Sequence, residues 1–221
     1  MKMIMDRYKM IIDICRGKKV LDVGCVGHDL NFRRNSVWIH KLLRECAASV
    51  TGLDYDAKNV EQLNREGYKA VCADATDFEL KETFDVIVAG ELIEHLPNPA
   101  GFLACAKKHL SRDGLLILTT PNAQGAMYCL QNLLFGHELE NPDHVCFYTP
   151  RTLACLLRKC GFELVEHKYI AGMRPQGHDR LLFHGLALLK NYLKLPFYLI
   201  RPSLCHRFLA LARPVCRDIN N

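Results

Sequence analysis

Four carboxylates stand where a chain of alternating strands and helices would present them to a ligand. Asp22 flanks the turn Asp22-Val23-Gly24-Cys25-Val26-Gly27, Asp54 ends the stretch Ser49 to Leu53, Asp74 follows Tyr68 to Cys72, and Glu91 follows Phe84 to Ala89. Carboxylates accept hydrogen bonds from hydroxyls and attract cations, so such a group suits a ligand carrying a diol and a positive charge. Gly24 and Gly27 let the backbone of the first turn come close to that ligand. Six histidines fall in expected loops or helix starts: His28, His40, His95, His137, His144 and His178. A neutral imidazole is a suitable base for a proton released near neutral pH.

To converge, these groups need a scaffold that gathers strand ends, and the chain reads as one. Lys18 to Val23 is a short apolar run entering the glycine turn, and a helical stretch follows from about Ser36 to Ala48. Ser49 to Leu53 is the next strand, Ala57 to Glu66 is helical, and Tyr68 to Cys72 is a third strand. Phe84 to Ala89 (FDVIVA) and Gly114 to Thr119 (GLLILT) are continuous apolar runs, as expected of strands covered on both faces, with a helix over Ala100 to Leu110 between them. This alternation predicts an α/β fold with a mostly parallel sheet and helices on both sides, a three-layer sandwich. Ligands then bind beyond the carboxyl ends of the strands.

After Pro121 the rhythm changes. Ala126 to Phe135 has an amphipathic helical pattern, and Gly136 to Tyr148 is a polar loop. Thr149 and Pro150 fit the N-cap and first position of a helix to about Cys160, stopped by Gly161. Phe162 to Ile170 is strand-like, helices are expected over Arg180 to Leu193 and part of Pro196 to His206, and Phe208 to Ala212 is expected as a last strand at the sheet edge.

Composition narrows the class. The 221 residues are 49% hydrophobic and 24% charged, which excludes collagen, coiled coil and wholesale disorder. Charge is uneven: residues 174–217 stand at +7 and residues 1–173 at −1. No basic run or aromatic–basic repeat points to nucleic acid, so no nucleic-acid partner is expected. The eleven cysteines contain no C-x-x-C, and most of them (Cys15, Cys46, Cys72, Cys105, Cys155, Cys160) read as small buried hydrophobes, a usage that fits a reducing cytoplasm. The first fifteen residues lack the uncharged core of a signal peptide, and the apolar stretch Leu181 to Ile200 is interrupted by His184, Lys190, Asn191 and Lys194. A cytoplasmic location is expected. The basic section could also dock peripherally on an anionic membrane or a lipid-linked substrate. We expect a core of residues 1–173 and a helical section of residues 174–221 belonging to the same domain.

The acids also discriminate between ligands. A dinucleotide brings a pyrophosphate, which four carboxylates would repel, and G-x-G-x-x-G is absent because Val26 stands two residues after Gly24. S-adenosylmethionine (SAM) brings a ribose, an ammonium and a sulfonium, which they suit. The successive segments VLDVGC, GLDYD, CADATDF, FDVIVAGELIEHLPNP and GLLILTTPN resemble the motifs of the class I SAM-dependent methyltransferases. The likeness is to a small bacterial-type branch that includes sugar and quinone-precursor O-methyltransferases, and it extends over about Lys18 to Val165. It implies a Rossmann-like sheet of six or seven strands with the last strand antiparallel. It also implies transfer of a methyl group to a hydroxyl of a small molecule, such as a sugar or glycan precursor, by an enzyme using SAM. Nitrogen or carbon acceptors and a non-catalytic partner protein of the same fold stay open.

The resemblance assigns roles to residues. Asp22 and the turn Gly24, Cys25 and Gly27 would hold the amino acid part of SAM. Asp54, followed by Tyr55, would take both ribose hydroxyls, Asp74 and Ala75 would face the adenine, and Glu91 and Leu92 would border the methionine. The family's usual turn is D-x-G-x-G-x-G, and Val26 and His28 occupy its second and third glycine places. His144, in a loop over the acceptor pocket, and His95, in Glu94-His95-Leu96-Pro97, are the candidate bases. Trp38 and His40 read mainly as core. No histidine or cysteine spacing suggests a metal site.

Overall fold

The computed structural model describes residues 3–27, 37–126, 128, 133–134, 141–171 and 198–215. The chain begins with β1 (Met3–Ile4) and α1 (Arg7–Cys15), whose N-cap Asp6 accepts the amides of Tyr8 and Lys9. Then come β2 (Lys19–Val23), α2 (Ile39–Cys46), β3 (Ser49–Asp54), α3 (Ala57–Arg65) and β4 (Ala70–Cys72). They are followed by β5 (Phe84–Gly90), a 3-10 turn (Ile93–His95), α4 (Pro99–His109) and β6 (Leu110–Pro121). α5 (Pro150–Lys159), β7 (Phe162–Ile170), a 3-10 turn (Pro202–Leu204) and β8 (Arg207–Pro214) complete the described elements.

The strands form one sheet in the order β1-β7-β8-β6-β5-β2-β3-β4. β8 runs antiparallel to both β6 and β7, and every other pairing is parallel. Strand-residue alternation sends Ile87 and Ala89 to one face, where α4 and α5 contribute Phe102, Leu103, Leu153 and Leu157. Val86 and Val88 point to the other face, against Ile11 and Cys15 of α1 and Leu43 of α2. These two cores make the three layers. Gly161 closes α5 at φ 77°, and the capping box of Thr149 and Thr152 opens it, both as the turn residues predicted.

Two expectations are corrected. The sheet has eight strands rather than six or seven, because the N-terminal pair Met3–Ile4 adds to β7 as an extra edge. The last strand is not at the edge: Phe208 to Leu211 pair with β6 and β7 on both sides, and their faces are covered by the two cores, Phe208 and Ala210 in one and Leu209 and Leu211 in the other. The chain crosses from the β4 side of the sheet back to β5 beside β2. That reversal of strand order opens a crevice beyond β2 and β5, where open α/β sheets bind ligands. Among the described residues, no helix is long and apolar enough to cross a membrane. Most of the basic section, Arg174 to Lys194 with the helix expected there, lies outside the described residues, as do His28, His137 and His178.

Candidate active site

The first turn is tied to its neighbours by backbone and side chain. Gly24 and Cys25 donate to the Leu53 carbonyl at 2.8 and 3.3 Å. The left-handed conformations fall on Gly24 (φ 80°) and Gly27 (φ 72°), whereas Val26 needs none and is 1% exposed. Its side chain belongs to an apolar cluster with Trp38, Val60, Leu63 and Ala70, so it is directed into packing behind the turn. With Val26 in the family's second glycine place, the left-handed conformations in the described part of the turn fall on Gly24, a family glycine, and on Gly27, outside the family's glycine places.

Asp54 ends β3 beside this turn and is 7% exposed. Its Oδ2 accepts Val26 N–H at 2.9 Å and its Oδ1 accepts Asp56 N–H at 3.1 Å. Burial raises its pKa, and the two amides oppose that rise. Each oxygen keeps a lone pair to accept a further hydroxyl. Tyr55 next to it is 83% exposed, a free ring face at the lip of the crevice. Asp74, beyond β4, is exposed and accepts the amide and hydroxyl of Thr76 at 2.7 and 2.8 Å, which lowers its pKa. Ala75 is half-buried beside it.

Asp22 and Glu91 are not open carboxylates on a negative rim, and here the sequence expectation is corrected. Asp22 is 1% exposed and sits 2.9 Å from Nδ1 of the equally buried His40. Glu91 stands between two arginines from opposite ends of the chain, Arg7 Nη1 at 2.9 Å and Arg207 Nε at 2.6 Å. Burial pushes the Glu91 carboxyl up, but Arg207 and Arg7 outweigh it and hold the carboxyl below the usual range. Glu91 also has φ 54°, a left-handed conformation that is strained for a residue with a side chain. Its amide bond to the Thr119 carbonyl (2.8 Å) and the double ion pair hold it there. Leu92 follows, its Cδ1 lying 3.4 Å from where a Cβ on Gly24 would be, so the segment after β5 and the glycine turn form two walls of one crevice.

One 3-10 turn further on lie the candidate acceptor groups. The Glu94 carbonyl accepts the amides of Val145 and Cys146 at 2.9 and 3.1 Å, docking the loop that carries His144 onto the 3-10 turn. The His95 and His144 rings meet edge to face at 4.6 Å, and His95 Nδ1 lies 3.2 Å from the Asp143 carbonyl. Glu94 is 1% exposed, and the Thr120 hydroxyl is a polar neighbour of its carboxyl. Burial, followed by the charge of Glu91, pushes its carboxyl up to about 8. Burial lowers the pKa of His144, favouring the neutral imidazole a base must have.

The structure thus unites His95 and His144, and joins Gly24, Asp54, Glu91 and Leu92 around one crevice. Ligand atoms of Glu94, His95 and His144 all lie within 4.8 Å of one another, a carboxylate–imidazole set that could hold a divalent cation. Sequence spacing did not reveal this set, because its members come from two separate loops. Sequence reasoning also missed Arg7, Arg207 and the polar use of Trp38 and His40. The signal for α1 was present: Asp6 as N-cap before apolar Met10, Ile11, Ile14 and Cys15.

This arrangement, a parallel sheet with one reversed strand and a donor crevice at its switch point, is that of a Rossmann-like group-transfer enzyme. A family model described as a methyltransferase domain matches residues 8–167, and the chain belongs to that family, the SAM-dependent methyltransferases. A ubiquinone biosynthesis O-methyltransferase of Glaesserella parasuis is 34% identical over 198 residues, covering 80% of this chain and 72% of the relative. Another of that name from Burkholderia pseudomallei is 29% identical over 164 residues, covering 70% and 68%. Among solved structures, a SAM-dependent methyltransferase from Archaeoglobus fulgidus superposes with a TM-score of 0.61 at 16% identity, covering 93% of this chain and 90% of that one. The magnesium protoporphyrin IX methyltransferase of Synechocystis, solved with bound S-adenosylhomocysteine, gives 0.58 at 13% identity, covering 93% and 80%.

Proposed function

We propose that the chain transfers the methyl group of SAM to a hydroxyl oxygen of a small molecule. The observation that carries this reading is the pairing of His144 with His95 and buried Glu94 one 3-10 turn beyond the donor crevice. The acceptor oxygen attacks the methyl carbon in line, the carbon–sulfur bond breaks, and S-adenosylhomocysteine leaves. The hydroxyl proton passes to the imidazole of His144, while His95 orients that loop through Asp143. On the donor side Asp54 takes the ribose hydroxyls, Asp74 and Ala75 lie along the adenine, and Gly24, Cys25, Gly27 and Leu92 enclose the methionine. The relatives' name supports an oxygen acceptor; nothing in it points to a sugar or glycan.

The test is a product assay by mass spectrometry with SAM and a panel of phenols, catechols and aliphatic alcohols. Wild type is expected to add one methyl group to a member of the panel. His144→Ala is expected to keep SAM affinity within about threefold and lose roughly 10²–10⁴ in turnover. Methylation only of amines or carbon acids would overturn the oxygen assignment. The +7 charge of residues 174–217 and the exposure of Leu199 (64%) and Ile200 (77%) support peripheral docking on an anionic surface. Absence of binding to anionic vesicles at low salt would remove that part.

A further inference from the structure

Gly52 of β3 pairs with Asp22 of β2, and the reason for a glycine there lies in what fills the space above it. A Cβ on Gly52 would come within 2.6 Å of Cys25 Sγ and 2.9 Å of His40 Cε1. The missing side chain is the slot into which His40 fits, and from that slot it reaches Asp22. With its hydrogen on Nδ1, His40 donates to Asp22 Oδ2 over 2.9 Å. Both side chains are 1% exposed, where an unpaired carboxylate is costly. Two residues back, Trp38 donates from Nε1 to the Cys25 carbonyl at 2.7 Å. Trp38, His40 and Tyr68 then pack ring against ring, with centroids 5.1 to 5.6 Å apart. One short segment thus grips the first turn at Asp22 and at Cys25, while Asp54 grips it at Val26.

We infer that His40 is a positioning residue for the methyl donor: together with Trp38 it fixes Asp22 and the Gly24–Gly27 turn in the shape that receives the amino acid part of SAM. This rests on the donor site proposed above and extends it to two residues that touch no ligand. Without the His40 hydrogen, no other side-chain donor to the Asp22 carboxylate is found among the described residues, and the carboxylate is released from its slot. The turn then loses its shape before the sheet loses its core. The grip explains how the turn dispenses with a glycine at position 26: the conformation is held from behind by two side chains and a buried valine.

Calorimetry with SAM, thermal melting and steady-state kinetics on four proteins test this. Wild type sets the reference. His40→Phe keeps the ring packing and removes the donor; it is expected to weaken SAM binding ten- to a hundredfold with the acceptor KM within twofold. His40→Asn places an amide N–H near the position of Nδ1 and is expected to return SAM affinity to within threefold of wild type, even if its melting temperature is lower. Trp38→Phe, which removes the bond to the Cys25 carbonyl and keeps an aromatic ring in the cluster, is expected to weaken SAM three- to tenfold and covers the case in which His40→Phe does not fold. A folded His40→Phe that binds SAM like wild type overturns the inference. So does SAM affinity that tracks melting temperature across the variants with no rescue by asparagine, or a Trp38→Phe protein unchanged in SAM affinity. Failure of wild type to bind SAM at all would instead refute the donor site on which the inference rests.

Discussion

Replacing Asp54 with asparagine tests the ribose contact proposed for it. Asp54 Oδ2 accepts the Val26 amide and Oδ1 the Asp56 amide, which fixes the plane of the carboxylate at the end of β3. Two charge-assisted hydrogen bonds to a diol contribute about 1.5–3 kcal/mol each, and an amide in the same place keeps one weaker acceptor. The net loss is about 2–4 kcal/mol, or a roughly 30- to 700-fold weaker SAM affinity at about 1.4 kcal/mol per decade. The asparagine NH2 must also face one of the two amides, so stability should fall by about 1–3 kcal/mol. Calorimetry with SAM and S-adenosylhomocysteine at pH 8 and low temperature keeps the wild-type carboxylate charged and the variant folded. Both ligands should lose affinity equally, because the ribose is common to them. A folded Asp54→Asn protein that binds SAM within threefold of wild type would show that the ribose sits elsewhere.

Other outcomes follow from the acceptor side. The Glu94 pKa of about 8 lies above its unfolded value, so its contribution to stability is full below about pH 4.5 and is lost as pH rises through 8. Thermal melts of wild type should decline over that window, and Glu94→Gln should flatten the decline; an unchanged slope would refute the burial argument. His144 must be neutral to act, and its pKa is lowered, so turnover should rise with pH through an apparent value below 6.5 and stay level near neutrality. A limb centred above 7 would point to another base. If Glu94, His95 and His144 act without a cation, dialysis against a chelator leaves turnover unchanged; loss restored by magnesium or manganese would mean that the cluster holds a metal.

Much of the scaffold was legible because its physics is local. FDVIVA and GLLILT are apolar on both faces, and only strands covered on two sides bury such runs, so β5 and β6 followed from composition alone. Thr149-Pro150 and Gly161 marked both ends of α5 for reasons of capping and left-handed backbone. The place of β8 was not legible. FLALA announces a buried strand, but whether its neighbours are one or two depends on how β7 returns, and that pairing is set by tertiary contacts. The short β1 carries no pattern of its own and exists because β7 offers it an edge.

At the site, residue type was more legible than residue role. Four acids at four strand ends suggested a negative rim, yet Glu91 lies between Arg7 and Arg207, partners that no spacing rule connects. The electrostatic case for a cationic donor therefore narrows to Asp54 and Asp74, the two acids of the four for which no salt bridge is found among the described residues. Two arginines against one carboxylate leave a net positive charge beside Glu91, at the end of the crevice proposed for the methionine. In the pose proposed above, that corner suits the carboxylate of SAM alone, since its ammonium and sulfonium leave the methionine end net cationic, and the acids beyond β3 and β4 suit the ribose diol.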